Sequence, residues 1–302
     1  MSRVFITNGT GFIGAAVARA FKAKGHEVTA LARSDESENK LKQQGYQVQR
    51  GDLKKPESYV DAVRKADIVI HTASTNDAEF AQYDLLAIDT ILEALRTTNN
   101  TFIYTSGVWV LGNTGDNVAT EATPVNPHQL VTWRADAERR VVAGGQQGLR
   151  TVVIRPSLVY GENKGVVGGI IEDAKKTGDI KVIGNGENRW ATVHVEDLAD
   201  LYVLAAEKAP QGGTLYNASH GPSVKVKEVA DQIAKVLGTP DKVRPVPVEI
   251  ARTRLGLVAD ALTLDQQVDA AKAQRELGWQ PKRANVLEDI AQTQKAPATA
   301  GR

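Results

Sequence analysis

A glycine-rich turn near the amino terminus is the first stretch whose residue types and spacing indicate chemistry. Gly9, Gly11 and Gly14 follow a short apolar run and lead into a helix-like segment. Glycines at this spacing let the backbone approach a pyrophosphate closely, and the first N–H groups of the following helix then face its negative charge. The pattern in this position predicts a dinucleotide-binding site.

The end of the second predicted strand bears on which dinucleotide binds. NAD sites usually place an acid there, which bonds the ribose 2′-hydroxyl. This chain has Arg33 instead, and a guanidinium suits a 2′-phosphate through charge-assisted hydrogen bonds. Asp35 and Glu36 follow and could still reach a ribose. The sequence therefore favours NADP(H) over NAD(H), with a solvated loop charge as the alternative role of Arg33.

The elements that must position these residues alternate regularly along the first half of the chain. The predicted strands are residues 4–7, 27–32, 47–50, 68–72, 101–106 and 151–155. The predicted helices include residues 12–24, 58–65, 80–97 and 129–143. Buried apolar strands joined by helical crossovers are typical of an α/β, doubly wound parallel (Rossmann) sheet, which is the fold class that we predict.

The amino-acid composition of the chain changes after Pro156, where glycines and prolines become frequent. We therefore predict an NAD(P)-binding Rossmann domain over residues 1–160 with a return segment at about 190–215. Residues 161–290 are expected to form mainly a smaller C-terminal α/β lid that binds substrate. Residues 291–302 are small and polar, and are expected to form a flexible tail.

Composition argues against several other classes of protein. The 302 residues include 37 Lys and Arg against 36 Asp and Glu, so no nucleic-acid or anionic-membrane partner is expected. No run approaches the ~20 apolar residues that cross a membrane, and no signal peptide is evident. The chain has no cysteine, and its five histidines lack metal-ligand spacing, so no metal is expected. We expect a cytoplasmic protein that acts on a small-molecule substrate, and a homodimer is the assembly considered.

Seven motifs that occur in order carry a family resemblance. They are TNGTGFIG at 7–14, GDL at 51–53, IHTAS at 70–74, YTSG at 104–107, IRPSLVYG at 154–161, VHVEDLA at 193–199 and RELGWQPK at 275–282. Together they resemble the extended short-chain dehydrogenases/reductases of the NAD-dependent epimerase/dehydratase group. The resemblance implies an NAD(P)-dependent oxidoreductase or epimerase/dehydratase-like enzyme that acts on a carbonyl or hydroxyl of a small molecule.

The resemblance also implies a set of cofactor-binding residues. Asn8, Gly9, Gly11, Phe12, Ile13 and Gly14 would surround the pyrophosphate, Asp52 and Leu53 the adenine, Ala73 and Ser74 the nicotinamide ribose, and Pro156 and Leu158 the carboxamide. Asn8 stands where the family usually has glycine. Because asparagine tolerates left-handed backbone better than most residues, we expect the turn to survive.

The family's proton-transfer residues are only partly present. Relatives use a Ser or Thr after the fifth strand, then a Tyr and a Lys four residues apart on the next helix. Ser106 fits the first position, and alignment on Glu138 places Leu130 at the tyrosine and Arg134 at the lysine. Leucine cannot transfer a proton, and arginine keeps its charge at any working pH. The sequence therefore predicts a degenerate active site, with Leu130 and Arg134 sharing one helical face.

Several residues are candidates to compensate for the missing tyrosine or to bind substrate. His128 carries an imidazole, a common proton-transfer group, although an exposed loop histidine is the commoner role. Tyr104 precedes Ser106 on the strand, although a core role is commoner there. Water is the third candidate proton source. The residues expected to line the substrate pocket are Leu130, Trp133, Tyr160 and Arg189, the last as an anion ligand or a solvated charge.

Two functional hypotheses follow from these residues. The first is a working enzyme that uses Ser106, Arg134 and a substitute proton source. The second is a catalytically inactive NADP(H)-binding sensor or regulatory protein that keeps the phosphate site but has lost turnover. The intact glycine turn suits both, and the Leu130/Arg134 pair favours the second. The retained Ser106, the RPSLVYG motif at 155–161 and Arg189 favour the first, which is the leading hypothesis.

Overall fold

The computed structural model describes residues 1–73, 79–146 and 148–292. The predicted cofactor residue Ser74 and most of the predicted tail lie outside these described residues.

The described residues contain the following strands: β1 Arg3–Ile6, β2 Glu27–Ala32, β3 Gln47–Arg50, β4 Ile68–His71, β5 Thr101–Thr105, β6 Val118–Ala119, β7 Arg150–Pro156, β8 Leu158–Tyr160, β9 Ile180–Ile183, β10 Arg189–Trp190, β11 Thr192–His194, β12 Gly212–Ala218, β13 Val224–Lys225, β14 Val243–Val246 and β15 Gln267–Val268. The α-helices are α1 Phe12–Ala23, α2 Asp35–Gln43, α3 Val60–Lys65, α4 Phe80–Leu95, α5 Arg134–Gln146, α6 Gly165–Thr177, α7 Val195–Lys208, α8 Val226–Leu237, α9 Val248–Leu255, α10 Leu257–Ala261, α11 Ala271–Leu277 and α12 Val286–Gln292.

One seven-stranded parallel sheet organises the amino-terminal half. Its order is β12-β7-β5-β4-β1-β2-β3, and every neighbouring pair is parallel. All six predicted strands lie in it, and β12 returns from later in the chain to pair with β7 along its whole length. The predicted doubly wound fold class is confirmed. The carboxyl ends of the central strands face one edge, which is where ligands bind in such sheets.

Apolar side chains from helices cover both faces of the sheet. On one face α1 and α7 pack against each other and against alternate residues of β1, β5 and β7. On the other face α3, α4 and α5 bury the intervening residues, including Phe102 and Val153. The alternation of a strand's side chains between two apolar layers explains why these strands read as continuous apolar runs.

A separate apolar cluster holds the C-terminal region together. Residues of α6, β9, α8 and α12 form it, and β14 pairs with β9 in parallel. The short helices α9 and α10 pack against each other as a hairpin beside this cluster. In contrast, α11 packs against α7 and β12, and the fully buried Trp279 donates to the Asp197 carbonyl at 2.8 Å. This segment therefore belongs to the layers of the large sheet.

The helix predicted at 129–143 differs from the observed one in its start. Residues Gln129–Val131 form a single 3-10 turn, and α5 begins only at Arg134. The His128 imidazole accepts a hydrogen bond from the Leu130 N–H and so caps the short turn. Leu130 and Arg134 are therefore not on one α-helix, and the expectation that they share a helical face is wrong.

Candidate functional site

The glycine turn forms a cradle, at the predicted phosphate site, that is too tight for larger residues. A side chain at Gly9 or Gly14 would collide with neighbouring atoms. A Cβ on Gly9 would lie 2.7 Å from the Ala30 Cβ, and a Cβ on Gly14 would overlap the Asn8 carbonyl oxygen. Asn8 has no positive φ, so the expected reliance on left-handed backbone there is wrong. These glycines are needed for close approach. Phe12 and Ile13, at the start of α1, are anchored against the apolar layer below.

Among the residues that the structure describes, no side chain caps the amino terminus of α1. Its N-cap residue is Gly11, which has no side chain to cap the helix, and the first turn contains no acid. The first N–H groups of this helix can therefore be satisfied by an anionic ligand. This is the arrangement that the pyrophosphate prediction requires.

A cavity of about 620 Å³ continues from the cradle along the ends of β2 and β3. The residues lining it include Arg33, Ser34, Ser37, Lys40, Asp52, Leu53 and Ala73. Asp52 and Leu53 thus lie where the adenine was expected, and Ala73 lies at the same cavity. Its size and position fit the adenosine half of a dinucleotide.

Some charged side chains near this cavity are held in ion pairs, and others are not. Two acids of α2 are paired with cations: Asp35 with Arg50 at 2.8 Å, and Glu38 with Lys42 at 2.6 Å. The Lys42 hydrogen bond holds the pKa of Glu38 below its ordinary value. Arg33 and Lys40 are exposed at the cavity, and within the described chain neither shows a carboxylate partner. Glu36 also lines the cavity, is exposed, and shows no cation partner in the same part of the chain.

Sequence reasoning did not single out Ser37 and Lys40. Helix α2 was not among the predicted helices, because its sequence is almost entirely polar. A signal was nevertheless present: Ser34 caps the helix through the Ser37 N–H, and the three-residue spacing of Ser34, Ser37 and Lys40 places them along one face.

Arg134 lies at the carboxyl end of β5, at the amino terminus of α5. Its Nη1 donates to the Thr105 carbonyl at 2.8 Å and to the Tyr104 hydroxyl at 3.4 Å. The guanidinium carbon lies 4.6 Å from the centre of the Trp133 ring and 5.9 Å from that of Phe80. Two aromatic rings and a carbonyl thus fix a permanent positive charge at the edge of the sheet.

Tyr104 does not face the sheet edge as a proton source would. It is fully buried, and its hydroxyl donates to Asp84 at 2.7 Å. Asp84 in turn bonds His71 at 3.0 Å, and His71 bonds the Thr7 hydroxyl at 2.8 Å. Burial raises the pKa of the Tyr104 phenol well above its ordinary value. Tyr104 therefore stays neutral within a structural chain that links the residue after β1 with β4, α4 and β5, and its assignment as a catalytic residue is wrong.

Ser106 is also committed to an internal partner. Its hydroxyl donates to Glu138 at 2.5 Å, and Glu138 forms a two-pronged ion pair with Arg155 at 2.8 and 2.5 Å. All three side chains are buried. Because this bond holds the hydroxyl toward α5, the expected catalytic role of Ser106 finds no support in its contacts.

Leu130 and His128 lie together on the short turn before α5. Leu130 is half-buried and packs against a small apolar cluster that includes Val131, Ala191 and Val268. The Nδ1 of His128 accepts the Leu130 N–H at 3.2 Å, and within the described part of the chain its Nε2 forms no hydrogen bond. The turn also packs against α10 of the C-terminal hairpin. The proton-transfer role of His128 therefore stays a prediction, limited to Nε2.

Two of the predicted substrate residues have structural partners instead. The buried Tyr160 donates to the Ala284 carbonyl at 2.7 Å. Arg189 binds both carboxylate oxygens of Asp265, at 2.8 and 2.6 Å, and also Asp116 at 3.0 Å. Since two carboxylates already neutralise it, Arg189 is not a free anion ligand, and both assignments are corrected. Pro156 ends β7 at the sheet edge, and Leu158 packs beside the C-terminal apolar cluster.

A second cavity, which we name the C-terminal chamber, encloses about 570 Å³. Its lining includes Ile170, Val182, Trp190, Ile250, Leu255 and Leu262, with Asp173, Lys181 and Arg254 as its charged members. It lies between α6, β9 and the α9–α10 hairpin. Sequence reasoning did not find it, because its wall is assembled from four distant segments.

Comparison with known proteins identifies the family. The model of the NAD dependent epimerase/dehydratase family matches residues 4–219. The chain belongs to this family. It is 33% identical to an uncharacterized protein of Saccharomyces cerevisiae over 95% of this chain and 97% of that one. It is 26% identical to the 2-alkyl-3-oxoalkanoate reductase of Stenotrophomonas maltophilia, over 86% of this chain and 83% of the reductase.

Solved structures agree with the fold. The dTDP-glucose 4,6-dehydratase of Bacillus anthracis, solved in complex with NAD, has a TM-score of 0.83 and 20% identity, and the match covers 98% of this chain and 97% of the dehydratase. An enzyme of the NAD(P)-dependent oxidoreductase or epimerase type is thus supported for this family member, and the regulatory alternative is not favoured.

The sequence led us to expect neither a metal site nor a membrane-spanning segment. Among the residues that the structure describes, no group of three or more His, Cys, Asp or Glu side chains is arranged to hold a metal ion. Within residues 1–73, 79–146 and 148–292, no helix combines the length and apolar character needed to span a bilayer.

Proposed function

We propose that this protein is an NADPH-dependent reductase that acts on a carbonyl group of a small, largely apolar molecule. The observation that carries the proposal is the position of Arg134, a fixed cation at the end of β5, on the same edge of the sheet as an intact phosphate cradle. The name of the Stenotrophomonas relative, a reductase of 2-alkyl-3-oxoalkanoates, supports the same reaction type and an apolar substrate.

The preference for NADPH rests on the charges of the adenosine cavity. Two cations, Arg33 and Lys40, and an unpaired acid, Glu36, line it among the described residues, while Asp35 and Glu38 are paired with other cations. A 2′-phosphate placed there would accept charge-assisted bonds from the two cations and hydrogen bonds from Ser34 and Ser37. NADH lacks the phosphate, so these cations would contribute little to its binding.

Bound NADPH would supply a hydride to the carbonyl carbon of the substrate. Arg134 would hold the nicotinamide side of the site through donors that the Thr105 carbonyl does not use, and would stabilise the negative charge that grows on the substrate oxygen. Because a guanidinium does not release its proton, the proton for that oxygen would come from water or from His128 through Nε2.

The residue at the family's tyrosine position fits this proposal. Leu130 would replace a phenol with an apolar surface, next to the hairpin that borders the C-terminal chamber. Epimerases and dehydratases first oxidise a hydroxyl, which requires a base to remove its proton, whereas a reductase only has to deliver a proton that water can supply. A site with a fixed cation and no phenol therefore suits reduction.

A paired assay tests the proposed function. NADPH oxidation is followed with a series of apolar 3-oxo acids and ketones, and in parallel with UDP- and dTDP-glucose. We expect turnover of apolar carbonyl compounds and none of the nucleotide sugars. Conversion of a nucleotide sugar, or NADPH binding without oxidation across the carbonyl series, would overturn the proposal.

A further inference from the structure

The C-terminal chamber has the character of a site for an apolar chain. Val182 and Trp190 line its interior together with Ile170 of α6 and Leu262, and the α9–α10 hairpin forms one side. Its volume of about 570 Å³ lies within the range of about 300–1,000 Å³ that is usual for small-molecule sites.

Exposed apolar side chains border the same chamber. Ile250 is 58% exposed and Leu255 45% exposed, and both belong to its lining. Large apolar residues that are left in water beside an apolar cavity mark a binding surface. A ligand that enters the chamber would cover both side chains.

The charged groups of the chamber leave one positive charge unmatched. Asp173 and Lys181 pair with each other at 2.8 Å, and the neighbouring Arg252 is held by Asp260 at 2.6 Å. Arg254 also lines the chamber, and among the described residues it shows no carboxylate partner. The chamber thus combines a long apolar surface with one available guanidinium.

We propose that the C-terminal chamber binds the hydrocarbon chain of an amphipathic acid whose carboxylate pairs with Arg254. An apolar wall recognises the chain, and a guanidinium binds a carboxylate through two parallel hydrogen bonds. That this acid is the substrate rests on the proposed reductase function, while the binding itself does not.

Helix α10 borders both the chamber and the turn that precedes α5. Val258 of α10 belongs to the chamber lining, and α10 packs against the turn that carries Leu130 and His128.

Titration calorimetry of the full chain with saturated fatty acids tests the proposal, with and without NADPH. Decanoate is compared with octanoate and with decanol. Each methylene that enters the chamber should tighten binding about fourfold. Decanoate should bind about tenfold tighter than decanol because only the acid can pair with Arg254.

Gly169→Phe is the blocking variant. Gly169 lines the chamber from α6, and a Cβ there meets no heavy atom within 4 Å, so the ring enters open space and the helix remains intact. Decanoate affinity should fall by at least about tenfold. Lys175→Phe, which adds the same ring at an exposed position of the same helix, should leave it unchanged.

Arg254→Gln should weaken decanoate binding about tenfold and leave decanol binding unchanged. The control is Lys235→Gln, which removes an exposed cation of α8 outside the chamber lining. Absence of decanoate binding to the native chain, equal binding by Gly169→Phe, or indifference to Arg254→Gln would overturn the proposal. The titration measures binding and needs no turnover. If the protein proved not to be a reductase, the titration would still show whether the chamber binds the acid.

Discussion

Arg134 places a permanent positive charge at the carboxyl end of β5, and this charge limits which reactions the site can catalyse. Its charge is fixed by the Thr105 carbonyl and by the rings of Trp133 and Phe80, while Tyr104 and Ser106 beside it are tied to buried carboxylates. The sequence identified Arg134 by its spacing from Glu138. The sequence could not show that the hydroxyls of Tyr104 and Ser106 already donate hydrogen bonds to Asp84 and Glu138. These carboxylates reach the two hydroxyls only when the helices pack on the sheet.

Arg134→Gln is expected to lower kcat for carbonyl reduction by roughly 10- to 100-fold, because it removes the fixed charge that stabilises the developing oxyanion. Arg134→Lys should retain part of the activity, since it keeps a charge but loses the planar group that stacks on Trp133. Steady-state NADPH oxidation measures both variants. An Arg134→Gln enzyme with native kcat would exclude the arginine from the chemistry.

The cofactor preference makes a second prediction at single residues. Arg33→Ala and Lys40→Gln should each weaken NADPH binding by about 10- to 100-fold and leave NADH binding unchanged, since both contact only the 2′-phosphate in our proposal. Lys42→Gln is the matched control on the same helix, because Lys42 pairs with Glu38 and does not line the cavity. Calorimetry gives the affinities. Equal weakening of both cofactors would contradict the 2′-phosphate assignment.

The strands and helices show what local sequence can and cannot predict. The buried strands β1, β2, β4, β5 and β7 were predicted to within one residue because their apolar runs are continuous, whereas β12, which contains Gly212, Gly213 and Asn217, was not predicted as a strand. The start of α5 was placed too early, since residues 129–133 have helical composition, yet His128 caps a 3-10 turn that ends before Trp133. Helix α2 was not predicted because it buries only Leu41 and so shows little apolar periodicity.

A buried ion pair joins α5 to the sheet and gives a prediction about stability. Glu138 is bonded to Ser106 and Arg155, and the side chains of Glu138 and Arg155 are only 6% and 4% exposed. Glu138→Gln should lower the free energy of unfolding by about 3–5 kcal/mol, because it leaves the Arg155 charge buried without a counter-ion.

Chemical denaturation measures this change, and Asp136→Asn on the same helix is its control. Asp136 pairs with Arg139 and Arg140 but is 39% exposed, so its replacement should cost less than about 1 kcal/mol. Similar losses in the two variants would show that the Glu138–Arg155 pair does not anchor α5.

At the scale of the whole molecule, Arg189 and Asp265 tie the C-terminal region to a loop of the large domain. Asp265 accepts from the Arg189 side chain and backbone, and its own N–H donates to Asn113 at 2.7 Å. The sequence predicted two regions, but not the contacts between them, because Arg189 and Asp265 are separated by 75 intervening residues. The same argument explains why the C-terminal chamber was missed.

The Arg189–Asp265 ion pair, which we call the clamp, predicts how the free energy of unfolding depends on pH. The Arg189 hydrogen bond holds the pKa of Asp265 below its ordinary value, so the carboxylate stabilises the fold above its unfolded pKa. That contribution is lost as pH falls through the lower, folded pKa. The difference in unfolding free energy between the native chain and Asp265→Asn should therefore be constant near neutrality and shrink below about pH 4.

Thermal or chemical unfolding across this pH range tests the clamp. Asp116→Asn is the control, because Asp116 contacts the same arginine but is 99% exposed. The pH dependence of that variant should follow the native chain. A difference between native and Asp265→Asn proteins that grows as the pH falls would contradict the assigned sign.

The most direct test of the reductase proposal is the fate of the transferred hydrogen. NADPH deuterated at the transferred position is incubated with the protein and an apolar 3-oxo acid, and the products are analysed by mass spectrometry. Our account predicts one deuterium on the new carbinol carbon, with the yield sharply reduced in Arg134→Gln. Unreduced oxo acid together with conversion of a nucleotide sugar by the same preparation would contradict it.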